Sequence, residues 1–171
     1  MRKLYLRSAF FCVAVLICVA SVSAIAQDYT RPETGTFVKD SERNGYGVLV
    51  VENNNLAGDE VIQDAVAILT DQDNNTIIAV YVREGESFEI TGIEDGLYGF
   101  YFTVGDGWNL ESARFSDPEF YKAENPLPFE TEIDGLQVLY SQWTLSLEEV
   151  PGGNEEKVPV PEYAFPDLVE S

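Results

Sequence analysis

The sequence predicts an all-β fold, a single antiparallel β-sandwich of about seven strands with at most one short helix. Two observations lead to this prediction. Short runs of β-branched and aromatic residues recur along the chain, and clusters of asparagine, aspartate and glycine separate them. Only one stretch after the N-terminal segment has the pattern of a helix. At 171 residues the chain has the length of one domain.

The first 26 residues have the pattern of a secretory signal peptide. Three basic residues precede an apolar stretch of 12 residues, 9–20, and an Ala-Ile-Ala sequence ends at Ala26. We expect cleavage before Gln27, a secreted or periplasmic protein, and no membrane span after cleavage. An uncleaved membrane anchor is the alternative, although two serines dilute the apolar run.

The charge and the missing residue types exclude several functions. Acidic residues outnumber lysine and arginine by 30 to 10, and removal of the three basic signal residues lowers the net charge from −20 to −23. This charge argues against non-specific binding to nucleic acid and against electrostatic docking on anionic lipid. The chain has no histidine, and both cysteines, Cys12 and Cys18, lie in the predicted signal. Histidine-based catalysis, thiolates and disulfides are therefore excluded from the exported chain.

After the signal, the composition divides the chain into three parts. Residues 27–44 are a polar lead-in, either a linker or a first strand. Residues 45–149 form the predicted β-sandwich domain. Residues 150–171 form a tail rich in proline and acidic residues.

The tail allows two interpretations. Its composition favours a disordered, solvated segment. Its large apolar residues are unusual for such a segment, so packing against the sandwich or docking on a partner is the alternative. These residues are Tyr163, Phe165 and Leu168.

The first half of the predicted domain contains five strands. They span residues 46–52, 65–70, 76–82, 87–91 and 97–104. Aspartates and asparagines at 71–75 connect the second strand to the third and favour a hairpin turn. The fifth strand is aromatic on both faces, which is typical of a central, buried strand.

The second half continues with alternating apolar and polar residues. Residues 129–133 alternate with two glutamates, and residues 139–147 alternate over nine positions. The nine-residue stretch is the clearest half-buried antiparallel strand in the chain. The one predicted helix is a short turn at residues 116–122, where Pro118 suits the first helical position.

Residues 88–98 resemble a known family of sandwich domains. They read Phe-x-Ile-x-Gly-Ile-x-x-Gly-x-Tyr, which is similar to the strand–turn–strand of prealbumin-like (transthyretin-like) domains. That family includes carboxypeptidase regulatory-like domains and the B-type repeats of bacterial collagen adhesins. The resemblance covers residues 45–105 and implies that Phe88 and Ile90 point into the core. It also implies a non-catalytic role as a spacer, stalk or binding module.

The hairpin turn at 71–75 is a candidate metal site. Asp71, Asp73 and Asn75 offer oxygen ligands at alternate positions, as the start of a Ca²⁺-binding loop does. Thr76 and Val82 stand where an EF-hand requires glycine and glutamate. A plain turn is therefore the favoured interpretation, with weak Ca²⁺ binding as the alternative and no other cofactor expected.

A glycine-rich loop at 105–109 is a candidate carbohydrate site. Trp108 in this loop would stack on a sugar ring, with Asp106 and Asn109 as polar neighbours. Further aromatic residues of such a platform are Tyr101, Tyr121 and Trp143. The favoured alternative is that Trp108 fills the open end of the sandwich.

No motif in the chain indicates catalysis. Gly-x-Ser-x-Gly, Ser-x-x-Lys and phosphate-binding glycine loops are missing from the sequence, and spacing singles out no carboxylate pair. We expect an exported, non-enzymatic interaction or accessory module at the cell envelope or outside the cell, with a protein or glycan partner. A carbohydrate-binding module and a structural subunit of a surface assembly are the alternatives.

Overall fold

The computed structural model describes residues 29–53, 63–147 and 157–168. Within these ranges the only helical element is a single 3₁₀ turn, Glu162–Ala164. The predicted all-β fold is confirmed. No helix of the described ranges is long and apolar enough to cross a membrane. The predicted signal peptide, residues 1–26, lies outside the described residues.

The described ranges contain fourteen strands, several of them only two or three residues long. In chain order they are β1 (Tyr29–Thr30), β2 (Thr36–Asp40), β3 (Gly47–Glu52), β4 (Asp64–Thr70), β5 (Thr76–Val82), β6 (Ser87–Ile93), β7 (Gly96–Gly105), β8 (Trp108–Asn109), β9 (Glu119–Ala123), β10 (Leu127–Phe129), β11 (Thr131–Asp134), β12 (Gln137–Tyr140), β13 (Gln142–Ser146) and β14 (Lys157–Pro159). The count exceeds the expected seven because the two strands predicted in the second half are divided, and because the lead-in, the segment after β7 and the tail contribute further short strands.

Two sheets enclose the main core. The larger sheet has the order β14-β9-β7-β4-β5-β2, with β10 also paired to β7, and the smaller sheet has the order β13-β3-β6. Leu49, Ile90 and Leu145 contribute to this core from the smaller sheet. Leu69 and Phe100 contribute from the larger sheet. Burial of these side chains between the two sheets makes the fold a sandwich.

The larger sheet is also covered on its outer face. Val66 and Ile68 of β4 and Tyr81 of β5 belong to a second apolar cluster, which includes Trp108 and Phe115 from the loop after β7. Strands β4 and β5 are therefore buried on both faces over most of their length. This explains why their sequences are continuous apolar runs and do not alternate.

The predicted nine-residue antiparallel strand at 139–147 is wrong. The strand is interrupted at Ser141. Before this residue, β12 pairs antiparallel with β11, and after it, β13 pairs parallel with β3. The Ser141 amide donates to the Glu130 carbonyl, and the Glu130 amide donates to Ser141 Oγ. These hydrogen bonds join the residue at which the chain leaves the sandwich, Glu130, to the residue at which it returns, Ser141. As a result, Leu145 is buried while Leu139 is exposed.

The predicted helical turn at 116–122 is also wrong. The amide and the hydroxyl of Ser116 both donate to the Asp106 carbonyl, which anchors this loop to the preceding one. The chain then enters β9, whose Phe120 and Tyr121 pair with β7. Pairing with a long neighbouring strand has overridden the local helical signal.

Residues 157–168 pack against the larger sheet, and the lead-in contributes strand β2 at the opposite edge of that sheet. Strand β14 pairs with β9, and the ring of Phe165 lies 4.6 Å from that of Phe120. The Thr76 hydroxyl donates to the Asp167 carbonyl at 2.8 Å. Of the two interpretations of the tail, the packed one applies to these residues, although Tyr163 is 91% exposed.

Asp64, at the start of β4, fastens the lead-in to the sheet. Its carboxylate accepts two hydrogen bonds from Arg31 at 2.8 Å, one from the Tyr81 hydroxyl at 2.6 Å and one from the Glu84 amide at 2.9 Å. Burial acts to raise the pKa of Asp64, but the hydrogen bonds outweigh it, so the pKa lies below its usual value. Burial and the bond to Asp64 raise the pKa of Tyr81.

Replacement of this carboxylate tests its role. Asp64→Asn is expected to lower the free energy of unfolding at pH 7 by about 1–3 kcal/mol, because the four hydrogen bonds from Arg31, Tyr81 and Glu84 lose a charged acceptor. Folding lowers the pKa of Asp64, so its contribution is complete above an unfolded-state pKa of about 3.9 and is lost as the pH falls through the folded value. Urea denaturation at pH 7 and at about pH 3 should therefore show a smaller difference between variant and wild type at the lower pH.

Asp73→Asn is the matched control, since Asp73 is exposed on a hairpin turn. We expect it to change the free energy of unfolding by less than about 0.5 kcal/mol. Equal effects of the two substitutions at pH 7 would contradict the role assigned to Asp64.

Candidate functional site

The carboxylate of Asp71 is used to build the hairpin turn. It accepts hydrogen bonds from the side-chain amide of Asn75 and from the backbone amides of Asn75 and Asp73, all at 2.8–2.9 Å. These bonds lower the pKa of Asp71. Asn74 has a φ of 65°, which asparagine tolerates better than most residues. The geometry is that of a turn, and weak Ca²⁺ binding there stays a prediction.

Metal-ligating groups do not gather elsewhere in the described ranges. No group of three or more acidic side chains within them is placed to hold a metal ion. The side-chain nitrogen of Asn75 faces Asp71, so Asp71, Asp73 and Asn75 do not present three converging oxygens.

Trp108 is buried, with 2% of its surface exposed. Its ring packs edge-on against Tyr81, at 5.6 Å between centroids, and against Phe115 at 4.9 Å. A buried indole offers no face to a sugar, so the predicted stacking role of Trp108 is wrong. The favoured prediction, that Trp108 fills the open end of the sandwich, is right about its burial but not about its place, because Trp108 packs on the outer face of the larger sheet.

The polar neighbours of Trp108 also have structural contacts. Asn109 Oδ1 accepts hydrogen bonds from the amide and the hydroxyl of Ser112, at 2.9 and 3.0 Å. The Asp106 carboxylate accepts a long bond of 3.4 Å from the Gln63 amide. These contacts shape the loop.

The structure does not bring the other predicted aromatic residues to Trp108 as a platform. Tyr121 stacks on Phe102 at 5.1 Å, on the opposite face of the larger sheet from Trp108. Tyr101 packs against Phe165, and the indole nitrogen of Trp143 donates to the Pro128 carbonyl at 2.9 Å. The carbohydrate site predicted from the loop is therefore not assembled.

A different surface stands out, which the sequence analysis missed. Nine large apolar side chains of the described ranges are exposed, and five of them lie in the β11–β12 hairpin. The five are Ile133, Leu136, Val138, Leu139 and Tyr140. Because they are concentrated in ten consecutive residues, they form a patch, whereas single exposed apolar residues are normal on any surface.

The register of the hairpin sorts its side chains onto two faces. Ile133 lies opposite Val138, and Thr131 lies opposite Tyr140. Directly opposed residues project from the same side of a sheet, so Ile133, Val138 and Tyr140 form one surface, which we call the apolar hairpin face. Their exposed fractions are 70%, 38% and 49%. The opposite face consists of Glu132, Asp134, Gln137 and Leu139.

The tip of the hairpin extends the apolar hairpin face. Gly135 has a φ of 62° and Leu136 has an ordinary φ, as in a two-residue type II′ turn, which places glycine first. Leu136 is 104% exposed at this tip. Among the residues that the structure describes, no contact accounts for so exposed a leucine.

The hairpin forms a separate two-stranded sheet, with neither strand paired to the other sheets in the described part of the chain. It is held at its base, where Thr131 donates to the Asp95 carboxylate at 2.7 Å and Ser141 bonds to Glu130. An isolated two-stranded hairpin is at best marginally stable in water. Contacts at the base therefore fix the position of the hairpin, and no other sheet of the described ranges covers its faces.

The surroundings of the hairpin are acidic. Glu130, Glu132 and Asp134 lie in or beside β11, and the sequence contains no lysine or arginine between Lys122 and Lys157. The candidate functional site is thus the exposed apolar face of a hairpin whose other face carries two acidic residues.

Comparisons with protein-family models, with curated proteins and with solved structures gave no match. The prealbumin-like resemblance of residues 88–98 therefore stays a prediction. Functional inference rests on the chemistry of the chain itself.

Truncation of the two tryptophans tests the packing role of Trp108. Trp108→Ala is expected to lower the free energy of unfolding by about 3–5 kcal/mol, because it empties a buried site. Trp143→Ala, at a partly exposed position, should cost clearly less. Urea denaturation followed by circular dichroism measures both, and a stability of Trp108→Ala equal to wild type would show that the indole is not packed as described.

Proposed function

We propose that the protein is an exported, non-enzymatic interaction module that binds a partner protein through the apolar hairpin face. The observation that carries the proposal is the projecting β11–β12 hairpin, with Ile133, Val138 and Tyr140 exposed on one side. Contiguous apolar surface on a globular domain is typical of a binding site, because its burial against a partner releases ordered water.

Charge selects the kind of partner. Glu132 and Asp134 project from the other face of the same two strands, Asp95 bonds to Thr131 at the base of the apolar hairpin face, and the whole chain carries a net charge of −20. A second copy would bring these like charges close together, which disfavours self-association. The proposed partner therefore has an apolar centre and lysine or arginine around it.

The backbone of the hairpin offers a second means of recognition. Strands β11 and β12 pair only with each other in the described ranges, so each has an edge with free amide and carbonyl groups. An extended segment of the partner can pair with such an edge while its alternate side chains contact the apolar face.

Export and the non-catalytic role belong to the same proposal. The signal-peptide pattern supports a secreted or periplasmic location, and the lack of histidine throughout and of cysteine after residue 26 supports a role without covalent catalysis. The carbohydrate-binding alternative loses its central ring because Trp108 is buried. A structural subunit of a surface assembly, which docks on a partner through a sheet edge or its C-terminal segment, stays an alternative.

A peptide selection tests the partner chemistry. A random peptide display library should yield sequences that alternate apolar with basic residues, and their affinity should fall as the ionic strength rises. Ile133→Ser combined with Val138→Ser should weaken the selected peptides at least about tenfold, as expected for the loss of central contacts. The fold should be unchanged, since both side chains are exposed.

Leu97→Ser combined with Tyr163→Ser is the control, because it removes exposed apolar side chains that lie outside the hairpin. It should leave the peptide affinities unchanged. Equal binding by the wild type and the hairpin variant would refute the assignment of the face. Sedimentation that shows a dimer dispersed by the hairpin variant would replace the cationic partner with a second copy.

A further inference from the structure

Strand β11 continues the chain from β10, but the partner that β10 has in the larger sheet ends at their junction. The register of β10 places Phe129 opposite Gly96, which is the first residue of β7. In the described ranges β11 pairs only with β12. The side of β11 that points away from β12, which we call the β11 edge, therefore lies in line with β7 and beyond its first residue.

The backbone groups on the β11 edge belong to Thr131 and Ile133. The amide of Glu130 donates to Ser141 Oγ and its carbonyl accepts from the Ser141 amide, so both groups of Glu130 point toward the β12 side. Backbone groups alternate in direction along a strand, so those of Thr131 and Ile133 point away from β12. The two-residue turn gives the same result, because the residues that flank such a turn form a hydrogen-bonded pair.

Both edges of the larger sheet carry features that oppose the addition of a strand. Strand β14 contains Pro159, which has no amide hydrogen to donate. Strand β2 has an irregular register between Phe37 and Lys39, and a bulge and a lysine both protect an edge. The β11 edge has an unbroken register and no proline. Its only protection is the charge of its acidic side chains, which does not oppose a basic strand.

These acidic side chains select the chemistry of a strand that pairs with β11. Glu132 and Asp134 project from the face opposite the apolar hairpin face. A strand added to β11 places alternate side chains directly beside them, at about 4.5–5.5 Å between Cβ atoms, where opposite charges attract. Asp95 accepts a hydrogen bond from the Thr131 hydroxyl, so a third carboxylate lies at the base of the edge.

The intervening side chains of an added strand lie on the apolar hairpin face. They stand beside Ile133, which is 70% exposed, and enlarge the surface that Val138 and Tyr140 begin. A segment that alternates apolar and basic residues therefore matches both faces of the hairpin at once. A second copy does not, because pairing β11 with itself would set acidic side chains against each other.

We propose that the β11 edge binds an extended segment of a partner protein by strand addition, with basic residues beside Glu132 and Asp134 and apolar residues beside Ile133. This inference rests on the proposed function and adds to it which edge of the hairpin the partner occupies. The outer edge of β12 is disfavoured, because its residues on the charged face are Gln137 and Leu139, which form no ion pair.

Two synthetic peptides test the proposal on the full chain without its predicted signal. The probe is an octapeptide of alternating lysine and valine, and its control alternates glutamate and valine. At an ionic strength of about 0.1 M we expect saturable binding of the lysine peptide, at least about tenfold weaker binding of the glutamate peptide, and a loss of affinity as salt is added.

Amide hydrogen exchange followed by NMR identifies the edge that is used. With the lysine peptide bound, the amides of Thr131 and Ile133 should exchange more slowly, because they donate to the added strand. The amides of Val138 and Tyr140 point away from β11 by the same alternation and serve as the internal control. They should keep their exchange rates.

Glu132→Gln combined with Asp134→Asn removes both charges and keeps the size of the side chains. It should weaken the lysine peptide at least about threefold. Glu84→Gln combined with Glu86→Gln is the matched control, because these exposed glutamates precede β6, at the end of that strand remote from Asp95. It should leave the affinity unchanged, since charges farther away than about 10 Å are screened.

The outcomes separate this inference from the proposed function. Slower exchange at Val138 and Tyr140, in place of the β11 edge, would overturn the choice of edge and leave the hairpin as the binding surface. Methyl shifts at Ile133 and Val138 without slower exchange at any amide would overturn strand addition and leave the apolar hairpin face as the contact.

Two further results would also overturn the inference. One is no saturable binding of the lysine peptide, and the other is an unchanged affinity in the variant of Glu132 and Asp134. Neither decides the proposed function, which is judged by the peptides selected from the library. The exchange rates are measured on the wild type, so this part of the test does not depend on the folding of a variant.

Discussion

The constraint on which the structure depends is that the centre of the larger sheet must be covered on both faces. Strands β4 and β5 have apolar residues at nearly every position, so an open face on either side would expose valine, isoleucine and tyrosine to water. The smaller sheet covers one face. The loop that contains Trp108 and residues 157–168 cover the other. Residues that precede and residues that follow the predicted domain at 45–149 therefore contribute to the core.

Irregular segments cover a sheet less completely than a second sheet does. Their fit relies on single polar contacts, such as Arg31 to Asp64 and Thr76 to the Asp167 carbonyl, whereas strands are held by repeated backbone bonds. Where the loop after β8 and the C-terminal segment meet over β7, they leave a pocket lined in part by Phe115, Phe120 and Phe165. This pocket is a consequence of covering the outer face with irregular segments.

The sequence predicted the strands of the first half well, because a buried strand between turn residues is recognisable locally. It could not predict the partner of a strand. One continuous strand and two strands separated at Ser141 give the same alternation of apolar and polar residues over 139–147. The parallel direction of β13 depends on its pairing with β3, which lies far away in the sequence. Burial of Trp108 depends likewise on Tyr81 and Phe115. The local signal for the β11–β12 hairpin was Gly135, since a two-residue type II′ turn places glycine first.

The same alternating pattern has opposite consequences in β13 and in β12. In β13, Leu145 meets the sandwich core, whereas the apolar hairpin face in β12 meets no sheet of the described chain. A protein with little charge would aggregate through such a face. Here Glu132 and Asp134 on the other face of the hairpin, together with a net charge of −20, add repulsion between copies, which opposes self-association through the apolar hairpin face. In the proposed complex, cationic residues of the partner turn the same repulsion into attraction.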